Sequence, residues 1–451
     1  MELLLHYTWK HKIFPLHELH TTDGRAVEVL NPGVHNSDAG PDFTNAKVKI
    51  DGVVWVGNVE LHIKTSDWFR HHHDKDAAYD NIILHVATKV DCPLFYPNGT
   101  EIPQLQLPIP SYVTNNYATL SRNDFQPRCR DVISHLPLLM VHNWMTSLTL
   151  ERFEERTHQI MARREALDKN WEDTLFVTLA RNFGFGINGD AFEQWAQSIP
   201  MSAVGKHRDN LFQIEAIFFG QAGLLEETGP TKEHHADQRP SSVHQEAALD
   251  KDYYLRLQKE YRYLRQKFSL TPIHPKVWKF LRLRPQNFPH IRIAQLAMLY
   301  YEQHLNLSRL IAIESPSNLV PLLQTHVSDY WRTHYTFDSQ PTTPIDKQLS
   351  NKSIALIAIN SVAPLLFAYG RYKSDQELCD RAFRLWEQLA AEDNRIIRDW
   401  QMAGVTCENA ADSQALIQLH RNYCQPHKCL LCQFGYEYIR CTPDFLRETK
   451  D

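Results

Sequence analysis

Apolar and polar residues alternate along the first quarter of the chain. Turn-forming "DG", "DCP" and "YPNGT" separate the runs with this pattern, which are "AKVKI", "VVWVGNVELHIK", "NIILHVATKV" and "IPQLQLPI". Alternation with a period of two is typical of half-buried strands, and Asp-Gly between two such runs favours a tight hairpin. Residues 1 to about 112 are therefore predicted to form a β-rich or α/β domain.

The hydrophobic period changes at about residue 135. From there, "LPLLMVHNWMTSLTLERFEERTHQIMARREAL" has apolar residues at helical spacing and charges on the opposite face. The predicted fold class is α+β, with a mixed α/β domain followed by a mostly helical body and a cysteine-rich module. The predicted boundaries are 1–130, 131–400 and 401–451.

Two segments stand out within the helical region. Residues 226–250 are polar and contain proline, which predicts a mobile loop. This segment contains His234, His235 and His244, which are metal-binding groups in principle, but a solvated loop is the favoured interpretation. "SIALIAINSVAPLLFAYG" is apolar, but polar residues and a proline interrupt it. It barely reaches the length that a membrane span requires, so a buried helix is predicted.

Composition indicates an ordinary folded protein of two or three domains. The chain has 451 residues, 43% apolar and 22% charged, and a typical domain has about 150 residues. The N-terminal apolar run is too short for a signal peptide, and eight cysteines are too few for a disulfide framework. We therefore expect a cytoplasmic protein of a bacterial-type cytosol or another reducing compartment, with no membrane partner.

The net charge of −5 gives no global attraction to nucleic acid, so such binding needs a local basic patch or bridging metal ions. One candidate patch is "LRLRPQNFPHIRIAQLA", where Arg282, Arg284 and Arg292 alternate with ring-bearing side chains. Interleaving of this kind suits a phosphate backbone. The alternative is that these arginines cap helices and pair with surface acids.

The strand "VELHIK" has two chemically distinct faces. Alternate side chains share a face, so Glu60, His62 and Lys64 point away from the apolar side. A carboxylate, an imidazole and an amine are costly beside a core unless they satisfy one another or a bound ion. This face is therefore the first candidate for chemistry.

Asp42 opens the preceding strand and is the candidate partner of Glu60. A regular two-residue turn at Asp51-Gly52 places Asp42 opposite Leu61, on the core face, whereas a bulge or a changed turn length places it opposite Glu60 or His62. In the second case the carboxylates form a Mg²⁺ or Mn²⁺ site, with Lys64 to orient or deprotonate water or to neutralise developing charge.

The run Pro41-Asp42, a hairpin, and Glu60 followed by basic groups resembles the PD-(D/E)xK nuclease core. That resemblance implies a nuclease-like N-terminal domain in which Asp42 and Glu60 bind metal. The family usually has lysine two residues after the second acid, where this chain has His62, with Lys64 two residues further on. Imidazole can bind metal or accept a proton, so the substitution leaves the chemistry possible.

A wider set of segments resembles an uncharacterised bacterial family of unknown function. They are "NPGVHNSDAGPDFTNAKV", "GNVELHIKTSDWFRHHHDKDAAYDNIILHV", "RPQNFPHIRIAQLA" and "GVTCENAADSQALIQLHRNYCQPHKCLLCQFG". This resemblance covers most of the chain and implies a shared architecture without an established activity.

Further polar candidates follow the Glu60 strand in a predicted loop and short helix and on the next strand. They are Asp67, His71, His73, Asp76, Tyr79 and His85. Convergence of several histidines on the two carboxylates favours a softer metal such as zinc or manganese.

Near the C-terminal end, Cys424, Cys429 and Cys432 have C-x4-C-x2-C spacing, which predicts a shared metal ion with sulfurs within roughly 4 Å of one another. His420 would complete a tetrahedral zinc site from one helical turn earlier, while Cys441 or Cys407 would give four thiolates for zinc or a [4Fe–4S] cluster. Some PD-(D/E)xK nucleases are similar in carrying such a cluster. In either case a structural role is predicted.

Together these patterns favour a metal-dependent, nuclease-like protein that hydrolyses phosphodiester bonds in nucleic acid. One alternative is a non-catalytic nucleic-acid-binding or scaffold protein with a degenerate nuclease fold, which His62 in the lysine position favours. The other is a metallohydrolase of a small substrate, which the histidines and the acidic net charge favour.

Overall fold

The computed structural model describes residues 1–15, 18–122, 127–225, 244–303 and 305–442, with the backbone alone for 244–251. These residues form an α+β fold, as predicted. Seven strands lie near the N-terminus: β1 Leu19–His20, β2 Ala26–Asn31, β3 Val34–His35, β4 Phe43–Ile50, β5 Val53–Lys64, β6 Ile82–Lys89 and β7 Gln104–Gln106.

Helices surround and follow the strands. The first five are α1 Glu2–Lys10, α2 Asp67–Arg70, α3 Ser111–Arg122, α4 Arg130–Ile133 and α5 Leu138–Ala166. The next ten are α6 Trp171–Phe183, α7 Gly189–Gln197, α8 Met201–Gly205, α9 Leu211–Gln221, α10 His244–Phe268, α11 Pro289–Glu302, α12 Leu307–Ile311, α13 Leu319–Leu323, α14 Asp329–Thr333 and α15 Asn351–Ile357. The last five are α16 Ala363–Lys373, α17 Gln376–Gln388, α18 Arg395–Met402, α19 Ala410–Leu419 and α20 Gln433–Arg440.

The sheet is mixed. Its order is β1-β2-β4-β5-β6-β7, with β3 beside β4; β2, β4 and β5 are antiparallel neighbours, while β6 runs parallel to β5. Helix α1 packs against β5, and its Leu5 and Trp9, one turn apart, join the sheet's apolar core with Phe43 and Val59. This packing leaves the face that carries Glu60 as the side on which α2 and the following turns lie.

The chain divides into two compact units. Unit 1 comprises Met1–Trp144, Arg398–Val405 and the residues from Leu419 onwards, and unit 2 comprises Met145–Ile397 and Thr406–Gln418. The predicted ranges 1–130, 131–400 and 401–451 stay a prediction; within unit 1, the cysteine segment packs with the N-terminal residues. Asn116 on α3 donates to the carbonyls of Tyr438, Ile439 and Cys441 at 2.9–3.2 Å and so ties α20 into unit 1.

Two predictions for the helical region have different outcomes. Residues 226–243, with His234 and His235, lie outside the described residues, whereas α10 already begins at His244, so the end of the predicted loop is helical. Among the described residues, one helix, Asn351–Lys373, is long and apolar enough to cross a membrane, and 72% of its apolar window is buried in the fold. Core helices of folded proteins share this length and this apolar composition.

Unit 2 buries an acid that should make its stability depend on pH. Glu215 on α9 accepts hydrogen bonds from Ser328 Oγ at 2.7 Å and Tyr253 Oη at 2.8 Å. Burial raises the pKa of Glu215 to about 7, and these two hydrogen bonds offset only part of the effect. A raised pKa means that the folded state binds the proton more tightly than the unfolded state does.

We therefore expect the stabilising effect of protonated Glu215 to be complete below the unfolded pKa near 4.5 and to be lost as pH rises towards 7. Glu215→Gln removes the titration, so between pH 5 and pH 8 its free energy of unfolding should fall by about 2.5 kcal/mol less than that of the wild type. Urea denaturation at both pH values measures the difference. The exposed Glu314→Gln is the control, and equal pH dependence in all three proteins would contradict the prediction.

Candidate metal centre

A β-bulge in β4 determines where Asp42 lies. The hairpin is regular from Ile50↔Val53 to Ala46↔Gly57, but the next pair is Phe43↔Val59, so two residues of β4 oppose one of β5. Asn45, in the bulge, has φ +55°, a conformation that asparagine tolerates better than most residues. Asp42 thus lies opposite Glu60 and off the core face, which confirms the bulged alternative predicted from the sequence.

Asp42 and Glu60 hold each other in place through the backbone. Glu60 Oε2 accepts from the Asp42 N–H, and Asp42 Oδ2 accepts from the Leu61 N–H, both at 2.9 Å. Burial and then the charge of Asp42 raise the pKa of Glu60. Burial also acts to raise the pKa of Asp42, but His6, whose Nε2 lies 3.3 Å from Asp42 Oδ2, outweighs it, so that this pKa is lowered. A buried and a partly buried acid this close are electrostatically costly, and a bound cation would relieve the cost.

Three histidines converge beside Glu60. One ring nitrogen from each of His62, His71 and His73 lies within 4.8 Å of the other two, a spacing compatible with a shared metal ion. Glu60 Oε1 lies 3.3 Å from His73 Nε2 and 3.8 Å from His62 Nε2. The group therefore offers three imidazoles and a carboxylate, a donor set that suits zinc, manganese or iron better than magnesium.

His85 supports this group from the neighbouring strand. In the parallel register of β5 and β6 it lies beside Glu60, and its Nε2 is 2.9 Å from His62 Nδ1. Burial first, and then the charges of neighbouring histidines, lower the pKa values of His62 and His85 to about 3. Both rings are therefore neutral at physiological pH, the state in which imidazole binds metal.

Aromatic rings surround the histidines. The ring of Tyr79 lies 3.9 Å from that of His73, and Trp68 makes edge contacts with His73 and His85. Burial and then Glu60 raise the pKa of Tyr79 to about 12, which keeps its hydroxyl protonated. Tyr79 and Trp68 thus shield one side of the cluster from water, while His71 is exposed on the other.

Three other candidates from the sequence make local contacts. Lys64 ends β5 with an exposed side chain, and its charge acts on Asp91. Asp67 accepts from the Lys64 N–H at 3.2 Å and pairs with Arg70 at 3.1 Å, while Asp76 caps a short 3-10 turn by accepting from the Ala78 N–H. Their accessory role at the site stays a prediction.

Sequence reasoning missed His6. It lies on α1, far along the chain from β5, and nothing in its local spacing connects it to the strands. The available signal was an imidazole inside the apolar run "LLLHYTW", where a polar side chain on a buried helix face needs a partner. That partner is Asp42.

A second cluster lies among the cysteines of unit 1. One small cavity is lined by Cys424, Cys429 and Cys432, and by Cys129, which comes from the segment just before α4. Burial and then the charges of the other three sulfurs raise the pKa of the Cys129 thiol well above its usual value. The structure thus brings Cys129, which the sequence analysis did not consider, to the predicted three.

The predicted fourth ligands, His420, Cys441 and Cys407, are not among the residues that line this cavity. His420 to Cys424 form a π-helical turn, so the i, i+4 alignment assumed for an α-helix does not hold there. Cys441 donates its S–H to the Glu437 carbonyl at 3.1 Å, and Cys407 belongs to unit 2. The expected sulfur spacing of roughly 4 Å is also wrong, because no three of the described cysteine sulfurs lie within 4.8 Å of one another.

Comparison with known proteins identifies a family. Residues 2–395 match the family model described as "Protein of unknown function (DUF2851)". The chain belongs to this family. No curated protein and no solved structure matches the chain. The matched residues include both carboxylates, the histidine cluster and Cys129, but they end before Cys424.

The three arginines of the predicted basic patch differ in their exposure to solvent. Arg282 and Arg284 are exposed. Arg292, on α11, is buried: its guanidinium donates to Gln295 and Asn287 and lies 4.5 Å from the centre of the Phe185 ring. Burial lowers its pKa to about 10. Arg292 is therefore a core residue that a phosphate backbone does not reach, which corrects its assignment as a nucleic-acid contact.

Proposed function

We propose that unit 1 is a metal-dependent phosphodiesterase that cleaves nucleic acid. The observation that carries the proposal is the bulge at Asn45, which places Asp42 opposite Glu60 with histidines beside them. A regular hairpin would have placed Asp42 in the core. The bulge brings the partly exposed Asp42 beside the buried Glu60, and a cation site is the simplest chemical reason for this arrangement.

The donor set favours manganese or zinc over magnesium. His62, His71 and His73 supply three nitrogens at close range, and Glu60 Oε1 lies 3.3 Å from His73 and 3.8 Å from His62. Nitrogen donors select against magnesium. A bound divalent ion would supply an activated water and neutralise charge on the phosphodiester. His62 would take the position of the lysine in the PD-(D/E)xK resemblance, as a ligand instead of a base.

The remaining residues have separate tasks. Asp42, ionised and bonded to the Leu61 N–H, completes the negative side of the site. The exposed Arg70 guanidinium lies 3.5 Å from His71 Nε2 at the open side, where it can contact a phosphate. Exposure of His71 leaves room for a polynucleotide to approach.

The proposal is tested by assaying the full chain after chelator treatment and readdition of Mg²⁺, Mn²⁺ or Zn²⁺ with single- and double-stranded DNA and with RNA. We expect cleavage with Mn²⁺ above that with Mg²⁺. Asp42→Asn should lower the rate at least about 100-fold, because it removes a charge from the metal site while keeping the size of the side chain. Asp38→Asn, an exposed acid four residues earlier, is the matched control and should keep full activity.

The other outcomes separate the alternatives. Wild-type protein that binds nucleic acid but cleaves none under any metal would overturn the proposal in favour of a non-catalytic binding protein. The histidine-rich donor set also suits hydrolysis of a small substrate. Cleavage of a small phosphodiester, such as bis(p-nitrophenyl) phosphate, without cleavage of DNA or RNA would support that function instead.

A further inference from the structure

We propose that Cys129, Cys424, Cys429 and Cys432 bind one [4Fe–4S] cluster that fastens the C-terminal segment to the rest of unit 1. The four cysteines line the same cavity, although Cys129 and Cys424 are far apart in the chain. This site is independent of the proposed phosphodiesterase, since it shares no residue with the histidine cluster.

Four cysteines around one buried cavity need a chemical reason. Cys129 and Cys432 are 7% and 6% exposed, and all four are free thiols. A single buried cysteine can serve packing alone, because free cysteine behaves as a small apolar side chain, but here four converge on one cavity. Cysteines that converge in this way in a reducing compartment are most simply explained as ligands of a metal centre.

The spacing of the sulfurs distinguishes a cluster from a single ion. Tetrahedral zinc with Zn–S bonds of about 2.3 Å holds its sulfurs about 3.8 Å apart. In the part of the chain that the structure describes, no three cysteine sulfurs lie within 4.8 Å of one another. A [4Fe–4S] cube carries its ligands outside its four iron corners, which separates the sulfurs by roughly 6 Å. The wider arrangement therefore fits the cluster.

The local backbone is shaped around the cavity. Cys429 begins a 3-10 turn, and Cys432 is the N-cap of α20. A Cβ atom at Gly435 would lie 2.1 Å from the Cys429 carbonyl oxygen, so only glycine allows α20 to approach this turn so closely. The cysteines are thus presented by tight turns packed against one another, and not by a single regular helix.

A buried cation next to the cavity supports a negatively charged occupant. Arg128 is 7% exposed, donates to the Cys424 carbonyl, and has its Nη2 2.8 Å from His427 Nε2. A cluster bound by four thiolates carries net negative charge, and an adjacent guanidinium offsets it at low cost because its own hydrogen bonds fix its position. Arg128 and Cys129 are neighbours in the chain, so one segment supplies both a ligand and this charge.

The experiment uses the full chain, produced with ample iron and purified without oxygen. We expect about four irons and four acid-labile sulfides per chain and a brown absorption near 400 nm that dithionite bleaches. Cys129→Ser should lose at least about four fifths of the iron. Cys441→Ser, which removes a nearby thiol outside the cavity, should keep it. About one zinc per chain without iron, or no metal at all, would overturn the proposal.

A further variant keeps the ligand assignment testable if Cys129→Ser does not fold. The double variant Cys407→Ser/Cys441→Ser removes both cysteines that the spacing had offered as the fourth ligand. Retention of the full iron and sulfide content would support Cys129 as that ligand. Loss of the cluster from this folded double variant, judged by circular dichroism, would refute it.

Discussion

Replacing Glu60 by glutamine should lower the rate of metal-dependent phosphodiester cleavage by about 1000-fold, which corresponds to roughly 4 kcal/mol of transition-state stabilisation. Glu60 is the carboxylate that approaches His73 and His62, and its Oε1 is therefore the oxygen best placed to bind the ion with them. Glutamine keeps the shape of the side chain, and its amide oxygen can still accept from the Asp42 N–H. The loss should therefore appear in kcat and not in folding.

The measurement is the steady-state rate at saturating Mn²⁺, with circular dichroism and thermal melting to verify the fold. Glu28→Gln, on β2 of the same sheet and exposed beside Lys49, is the matched control and should behave as the wild type. A Glu60→Gln protein as active as the control would show that the carboxylate pair is structural, and the metal-centre assignment would then fail.

Replacing His85 by leucine should weaken metal binding by about 10- to 100-fold while leaving most of kcat at saturating metal. For His62 Nε2 to bind an ion, its proton must lie on Nδ1, where it can be donated to His85 Nε2 at 2.9 Å. His85 therefore positions the ligand without touching the ion. Loss of this hydrogen bond frees the His62 ring to rotate and allows the other tautomer.

A metal titration of the activity distinguishes this positioning role from that of a ligand, because the half-activating concentration should rise while the plateau is kept. Leucine also leaves the buried Nδ1–H of His62 without its acceptor, so we expect the free energy of unfolding to fall by about 1–3 kcal/mol, and the titration is made at a temperature where the variant is folded. The exposed His20→Leu serves as the control. An unchanged half-activating concentration in His85→Leu would contradict the proposed tautomer.

The local hydrophobic pattern predicted much of the fold and part of the candidate site. The period-two runs became β4, β5 and β6, and the alternation in "VELHIK" correctly placed Glu60 and His62 together on the face away from the core. The position of Asp42 was predictable only as a pair of alternatives. Whether Asn45 forms a bulge depends on how the whole sheet packs, and not on the turn alone.

The spacing of residues along the sequence could not predict which distant residues meet through tertiary contacts. Cys129 joins the later cysteines across almost the whole helical region, and no local motif contains it. His420 was proposed as a ligand from an α-helical period, whereas the chain forms a π turn there. Arg292 shows the opposite error. A basic residue near aromatic residues suggests a surface position, but the buried amide of Gln295 and the ring of Phe185 accommodate Arg292 in the core.

The discontinuity of unit 1 has a consequence for how the protein is made. Its sheet is synthesised first, but the segment from Leu419 onwards, which packs against α3 and supplies three of the four cysteines, leaves the ribosome only after all of unit 2. Unit 2 can therefore fold around its own hydrophobic core before this segment has packed against the rest of unit 1. During that interval the apolar surface that α20 covers is open to chaperones, and the proposed cluster lacks three of its four ligands.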